Sequence, residues 1–432
     1  MRASWKAFLA ASLIVTPFAA HAIKVPVPVE GVNLNFGVNI QTHALFNENG
    51  TPDGTNWSTD VFMRRTRLFF NGDISRYFWF FIQVDNTNFG KFGNFGGRMI
   101  FQDAVFAWSP TGSTGSDVVF IEAGLLRIPS SRGTITNVNN NFTIDGHPDL
   151  IRGFNGNNFN ANRSIGLEAR GWAVEKKIGF RGGLYEGVRA SQGAATDAGL
   201  NPHSVPLLAG IVQFNIFGTQ EGGFSYESLY FSKDTLLSIS LAGGWQSRAV
   251  RVTKGVADFE SFASTAFLEY PFSEDSELIA ILIGYRHALG SGSKDTGWGF
   301  GADLGYRWKW VRPYLSYEWF TSDDCPTNPA DLSGAALTAC LAQATGAHSA
   351  DTRNFRTGLD FYINKTLNHV MIEFSVNHGQ SSWGPQSITQ ATAGYVPASL
   401  DPIAPSTTRR PINTLLTSPN QKSLLLQWAL VF

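Results

Sequence analysis

The chain is poor in cysteine, methionine and charge. Cys325 and Cys340 are its 2 cysteines, and they flank a segment rich in Pro, Asn and Ala. With no histidine-rich surroundings they make a poor metal site, and in an exported chain they suit a loop disulfide better. Charged residues make up 16% and the net charge is −1, so there is no basic excess of the kind nucleic acid selects. Beyond residue 22 no uninterrupted apolar run approaches the about 20 residues of a spanning helix. A Gly-x-Ser-x-Gly nucleophile elbow and a His-Glu-x-x-His zinc motif are both missing. His43, His287, His369 and His378 are scattered over separate segments. No metal or cofactor is implied.

What the chain does contain is an unusual mixture. Arg2 and Lys6, the apolar run Phe8 to Val15 and the small-x-small stretch Ala20-His21-Ala22 have the layout of a secretory leader, so residues 1–22 are expected to be a signal peptide. The remainder carries much of the 44 Gly, 34 Phe and 12 Trp, with a mean hydropathy of only −0.07. Its clearest pattern is period two. Val32, Leu34, Phe36, Val38 and Ile40 alternate with Asn33, Asn35, Gly37, Asn39 and Gln41. Trp298 to Trp308, Val370 to Val376 and Leu424 to Phe432 behave the same way. Successive strand side chains point to opposite faces, so each segment has one greasy and one polar face. Many such segments are about ten residues long, as tilted membrane-spanning strands are and sandwich strands are not. Tryptophans at segment ends (Trp108, Trp172, Trp245, Trp308, Trp310, Trp319, Trp428) fit interfacial girdles.

Sixteen segments can be placed: 32–46, 60–71, 77–86, 98–108, 117–128, 163–173, 178–187, 207–217, 235–246, 259–270, 277–287, 297–308, 311–320, 353–364, 369–379 and 422–432. The expected fold is all-β, a transmembrane antiparallel β-barrel over 23–432 with long outer loops and short periplasmic turns. The connection 218–234 is too long for a periplasmic turn. Read as a further strand pair it gives eighteen strands, the alternative. Alternate glycines Gly297, Gly299, Gly301 and Gly305 lie on the lumenal face of a strand, which is the wrong setting for a phosphate-cradling loop.

Three stretches carry a family resemblance: Phe62-Met63-Arg64-Arg65-Thr66-Arg67-Leu68 with Gly72, Gln102-Asp103-Ala104-Val105-Phe106, and Gly124-Leu125-Leu126-Arg127-Ile128-Pro129-Ser130-Ser131. In order and spacing they resemble the early half of phosphate-selective porins of the O and P type. The ending Trp428-Ala429-Leu430-Val431-Phe432 looks like the terminal signal by which outer-membrane barrels are read by their assembly machinery. The resemblance implies a sixteen-stranded homotrimer in the bacterial outer membrane that passes anions, some members being phosphate-selective. It also implies that the third outer loop, 129–162, folds inward as a constriction. That loop carries Arg132 and Arg152, with Arg163 directly after it, together with Asp145, His147 and Asp149, and it has no lysine.

Parity assigns the lumen. Leu68 and Phe70 face lipid, so Arg65, Arg67 and Asn71 face the pore. A mid-membrane Arg on the lipid face would cost about 2–4 kcal/mol. Arg64 then falls on the outer face at the interface. Arg170, Arg181, Arg307, Arg312 and Arg356 are expected inside, as are Asp85, Asp103, Glu168, Asp303, Glu318, Asp360 and Glu373. Pairing of Arg170 with Glu168 and of Arg356 with Asp360 would merely brace the wall, whereas Arg65 and Arg67 have no acid in their own strand. Arginine's planar fork suits anions, so Arg65, Arg67, Arg132, Arg152, Arg170, Arg181, Arg307, Arg312 and Arg356 form the candidate anion path. His147 is either a pH-sensitive pore residue or a surface histidine. The function expected is passive passage of small hydrophilic solutes, anions foremost, across a lipid bilayer. The competing readings are a structural or adhesive barrel that displays loops 321–352 and 380–421, and an outer-membrane enzyme.

Overall fold

The computed structural model describes the chain apart from residues 1–22, 28, 30, 49, 52–55, 98, 113–117, 148–149, 151–161, 190–198, 221–223, 253–254, 291–294, 324–350, 366, 379–420 and 432. The expected signal peptide, Arg152, Cys325, Cys340 and Phe432 therefore lie outside the described residues.

A short strand β1 (Ile23–Val25) precedes sixteen long ones: β2 (Asn33–Asn47), β3 (Ser58–Ser75), β4 (Phe78–Phe89), β5 (Ile100–Trp108), β6 (Val118–Arg127), β7 (Arg163–Ala173), β8 (Ile178–Tyr185), β9 (Leu207–Phe217), β10 (Leu236–Val252), β11 (Gly255–Ser273), β12 (Ser276–Ala288), β13 (Gly297–Trp308), β14 (Val311–Ser322), β15 (Thr352–Asn364), β16 (Asn368–His378) and β17 (Gln421–Val431). Each long strand pairs antiparallel with the next, and β17 returns to β2 with Leu424 opposite Phe46 and Val431 opposite Asn39. The sheet is therefore a closed sixteen-stranded barrel with no free edge in the lipid. β1 was not foreseen; it pairs with β2 at Leu34 to Phe36, on the stretch just beyond the end of β17.

Alternation explains the wall. Leu208, Val212, Phe214, Leu241, Leu282, Phe300 and Leu304 are exposed on the outside, and Trp108, Trp245, Trp308, Trp310 and Trp428 are exposed with them. Trp172 departs from the girdle expected of it: its ring lies over Gly179 on the lumenal side, 2.7 Å from where a Cβ there would stand. The described residues of the segment 218–235 form no strand and the barrel closes with β9 paired directly to β10, so the eighteen-stranded alternative is wrong.

The inside of the barrel is packed. Phe267 of β11 and Ile279, Ile281 and Ile283 of β12 point inward and are buried, joined by Phe142, Ile144 and Leu150 of the 128–162 loop and by Leu229 of the 218–235 segment. A sixteen-stranded wall leaves room for an aqueous channel. Here two chain segments occupy much of that room and give the barrel an apolar core of its own.

Candidate functional site

The site is the inner wall and the two segments that cover it. At its outer end β3 carries Arg64 and Arg65 in succession. The register against β2 shifts there, with Arg65 opposite Gln41 and Met63 opposite Thr42, so Arg64 is an extra residue in a β-bulge. The bulge turns both arginines inward. Arg64 is 4% exposed and donates to Asp145 Oδ1 at 3.2 Å and to Asn88 at 3.2 Å, so it does not lie on the outer face as strict parity requires. β5 has the same irregularity. Between Gln83–Asp103 and Val84–Phe101 the extra residue is Gln102, and Gln102 and Asp103 are both buried.

The remaining arginines are distributed as follows. Arg67 donates to Asp85 at 2.8 Å, and Arg163 and Arg127 share Asp103 at 2.9 and 3.5 Å. Arg170 pairs with Glu122 at 2.7 Å, while Glu168 is held by Arg181 at 3.2 Å and by the Tyr185 hydroxyl at 2.6 Å. Across the barrel, Arg307 pairs with Glu277, Arg312 with Asp360 at 3.1 Å and Arg356 with Glu318 at 3.3 Å. The acids are thus supplied by neighbouring strands. The same-strand pairings of Arg170 with Glu168 and of Arg356 with Asp360 are not the ones formed. Arg65 approaches Asp145 at 4.0 Å, and Arg132 donates to Gln220 and to the Glu227 carbonyl at 2.7 Å. None of these arginines is more than 8% exposed.

What covers them is, first, the loop after β6. Asn39 and Gln41 of β2 both donate to Asn139 Oδ1, at 2.8 and 2.7 Å. Arg312 reaches the Phe142 carbonyl at 2.9 Å, the Ile144 N–H donates to Glu373 at 3.1 Å, and Arg356 grips the Gly146 carbonyl. His147 Nε2 lies 2.9 Å from Asp303 and its Nδ1 4.0 Å from Glu318, so it is no surface histidine. Two of the alternate glycines of β13, Gly301 and Gly305, form the floor beneath this loop. A Cβ at Gly301 would stand 2.9 Å from the His147 ring and one at Gly305 2.8 Å from Phe142. Burial alone would raise the Asp145 pKa, but Arg64, with His43 and Arg65, holds it well below the usual carboxylate range. Burial pushes His147 down, yet Asp303 and then Glu318 carry it above its ordinary value against the opposing Arg356.

The second cover is the connection 218–235, a strap across the lumen toward the periplasmic end. The Phe224 ring packs on Trp79 and Phe81 of β4 at 5.7 and 5.2 Å. Tyr226 bridges in parallel with Thr136, and the Ser228 N–H donates to the Asn140 carbonyl, joining strap to loop. On the far side the N–H groups of Tyr230 and Ser232 donate to the Glu269 carboxylate at 2.7 and 2.6 Å. Phe231 meets Tyr362 of β15 at 5.3 Å. Sequence reasoning missed the strap's course and the inward Arg64, Arg127 and Glu122. Two adjacent arginines within one strand were the available signal for Arg64.

Trp428 lies on the outer surface, its indole N–H donating to Asn368 at 3.1 Å.

No protein-family profile and no curated protein matches the amino-acid sequence. Solved structures do. An anion-selective porin from Comamonas acidovorans aligns over 93% of this chain and 100% of its own, with a TM-score of 0.53 at 10% identity. OmpF of Salmonella typhi, solved with daunomycin, aligns over 95% and 100% with a TM-score of 0.52 at 11% identity. OprB of Pseudomonas putida aligns over 92% and 94% with a TM-score of 0.55 at 8% identity. At such identities the likeness is one of fold: the chain is a closed sixteen-stranded barrel of the outer-membrane porin type, and its apolar belt belongs in the bacterial outer membrane.

Proposed function

We propose that this barrel is a channel for passive diffusion of small hydrophilic solutes, with a modest preference for anions set by lumenal arginines. The observation that carries the reading is the cluster Arg64, Arg65 and Arg67 on the inner face of β3, covered by Asp145 of the loop and, through Gln41, by Asn139. A charged side chain inside a bilayer is retained where ions or polar solutes pass, and rings of arginine favour anions. The loop 129–162 is the constriction in this reading. Because the arginines are covered, flow past them requires the loop or the strap to shift. The preference is modest because most of the guanidiniums have a carboxylate within 4 Å. Phosphate is one anion of the class. Homotrimeric assembly and removal of residues 1–22 belong to the same proposal.

The test is the zero-current potential across a KCl gradient in planar bilayers holding the refolded barrel. A chloride-favouring potential that collapses in Arg65→Ala/Arg67→Ala is expected, folding being checked by the heat-dependent gel shift of barrels. Block by added phosphate would identify phosphate as a solute. A cation-favouring potential refutes the anion preference, and folded protein without conductance refutes the channel.

A further inference from the structure

We propose that the wall beneath the strap is a binding site for small aromatic carboxylates, and that such a ligand takes the place of Phe224 and releases the strap. The proposal rests on the channel reading only for its second half, because release is read as conductance while binding is read directly.

The argument begins with what Phe224 itself does. Its ring lies on two aromatic rings of β4, Trp79 and Phe81, whose planes are nearly parallel at 11° with centroids 6.2 Å apart. Two guanidiniums face the same ring, Arg127 at 5.3 Å and Arg181 at 5.5 Å from its centroid. Arg181 Nη2 also donates to the Phe224 carbonyl oxygen at 3.1 Å. The wall therefore recognises a six-membered ring and, two methylene-type carbons away, an oxygen acceptor. That is the skeleton of 3-phenylpropanoate. In the free acid the acceptor is a full carboxylate in place of a neutral carbonyl. A charge-assisted hydrogen bond to a guanidinium is shorter and roughly twice as strong as a neutral one. Ring-on-ring packing and the cation–π contacts would carry over unchanged.

The surroundings allow the exchange. Trp79, Phe81 and Phe224 are only half-buried, and a cavity beside Phe224 is lined by Arg170, Arg181, Ser225 and Tyr226. Phe69 of β3 extends the aromatic surface, stacked with Phe81 at 6.3 Å. The acids nearby limit affinity. Glu122 and Glu168 face each other from β6 and β7 and already engage Arg170 and Arg181. Asp103 engages Arg127 and Arg163. A single anion added among three guanidiniums, Arg127, Arg170 and Arg181, thus meets a nearly balanced cluster. Aromatic contact has to supply the rest. A ligand shifts a two-state equilibrium only by its differential affinity, and here the whole difference is the ground that Phe224 vacates.

The experiment is isothermal titration of 3-phenylpropanoate into the folded barrel in detergent, with butyrate and 3-phenylpropanamide as probes lacking ring or charge. A parallel bilayer recording has the ligand added on the strap side. Expected are binding of 3-phenylpropanoate above both analogues, at least tenfold tighter binding to Phe224→Ala, loss in Trp79→Ala with rescue in Trp79→Phe, and a conductance increase that Phe224→Ala already shows without ligand. Phe224→Leu serves where the alanine variant does not fold. Equal binding of butyrate, or binding undiminished in Trp79→Ala, overturns the site. Binding without a conductance change, in a barrel where Phe224→Ala conducts, overturns the release. Binding with no conductance in either protein leaves the site and defeats the channel.

Discussion

Asp145→Asn is the change that separates a covered arginine wall from an open one. The Asp145 carboxylate sits between Arg64 at 3.2 Å and Arg65 at 4.0 Å and is held ionised by them. The amide keeps the shape and removes the charge. Two neighbouring guanidiniums, 4% and 8% exposed, are then left facing each other. Breaking a buried pair by neutralising one partner costs about 3–5 kcal/mol. Applied to the balance between covered and uncovered wall, that is about two to three and a half orders of magnitude. Other anchors of the loop remain, among them Ile144 with Glu373 and His147 with Asp303, so the shift is local to the β2–β4 side. Single-channel conductance should rise. The field at the wall changes as well. A unit charge removed about 4 Å from a passing ion is worth about 1 kcal/mol even in bulk water, with opposite sign for anion and cation, or about thirtyfold in anion-over-cation partition. The zero-current potential in roughly 0.1 M KCl should move toward chloride and the shift should shrink in roughly 1 M KCl, where screening falls to about 3 Å. Unchanged conductance and unchanged potential at the lower salt would refute the placement of the permeation path along this wall.

Other expectations follow from the same geometry. His147 has its pKa raised in the folded state, chiefly by Asp303 and Glu318 acting against burial. Docking of the loop through it is therefore complete below the ordinary imidazole value of about 6.5 and is lost as pH climbs through the raised value. Conductance should increase from neutral to alkaline pH, and His147→Gln should flatten the response; a fall with rising pH would contradict the assignment. Gly305→Val places a side chain 2.8 Å from Phe142 and 3.3 Å from Arg312, and such overpacking should cost about 1–3 kcal/mol in urea unfolding. Arg67→Ala leaves Asp85 buried without its 2.8 Å partner and should cost about 3–5 kcal/mol. Adding Asp85→Ala should recover much of that loss, and a double variant no more stable than the single one would show that the pair is not the source.

The strands were legible because lipid tolerates few polar side chains, so period two is enforced along nearly every crossing. Sixteen crossings and the inward set Arg65, Arg67, Arg170, Arg181, Arg307, Arg312 and Arg356 follow from that rule alone. The rule fails where the backbone gains a residue. At Arg64–Arg65 and Gln102–Asp103 two consecutive polar side chains both turn inward, and parity counting must misplace one of each pair. Partners were less legible than positions. Glu122, Asp85 and Glu318 reach their arginines across the sheet, and cross-strand register is not written in either strand by itself. The cover could have been suspected from β12, whose Ile279, Ile281 and Ile283 would face water in an open lumen. Together with an overlong 218–235 connection, that stretch asks for something to bury it.

That two-sided apolar arc has a consequence for how the wall is aligned. Along the middle of β12 a slide of one residue exchanges Ile279, Ile281 and Ile283 for Leu278, Ala280 and Leu282, a swap of aliphatic for aliphatic. Burial of oily surface cannot distinguish the two settings there. The information that does so sits at the tips of the strand. Glu277 must meet Arg307, and Glu277 and His287 would both be delivered into hydrocarbon by the slide. The centre of this strand can therefore vary freely among aliphatic residues without misleading the growing sheet, whereas an error at either tip would propagate to every strand laid down beside it.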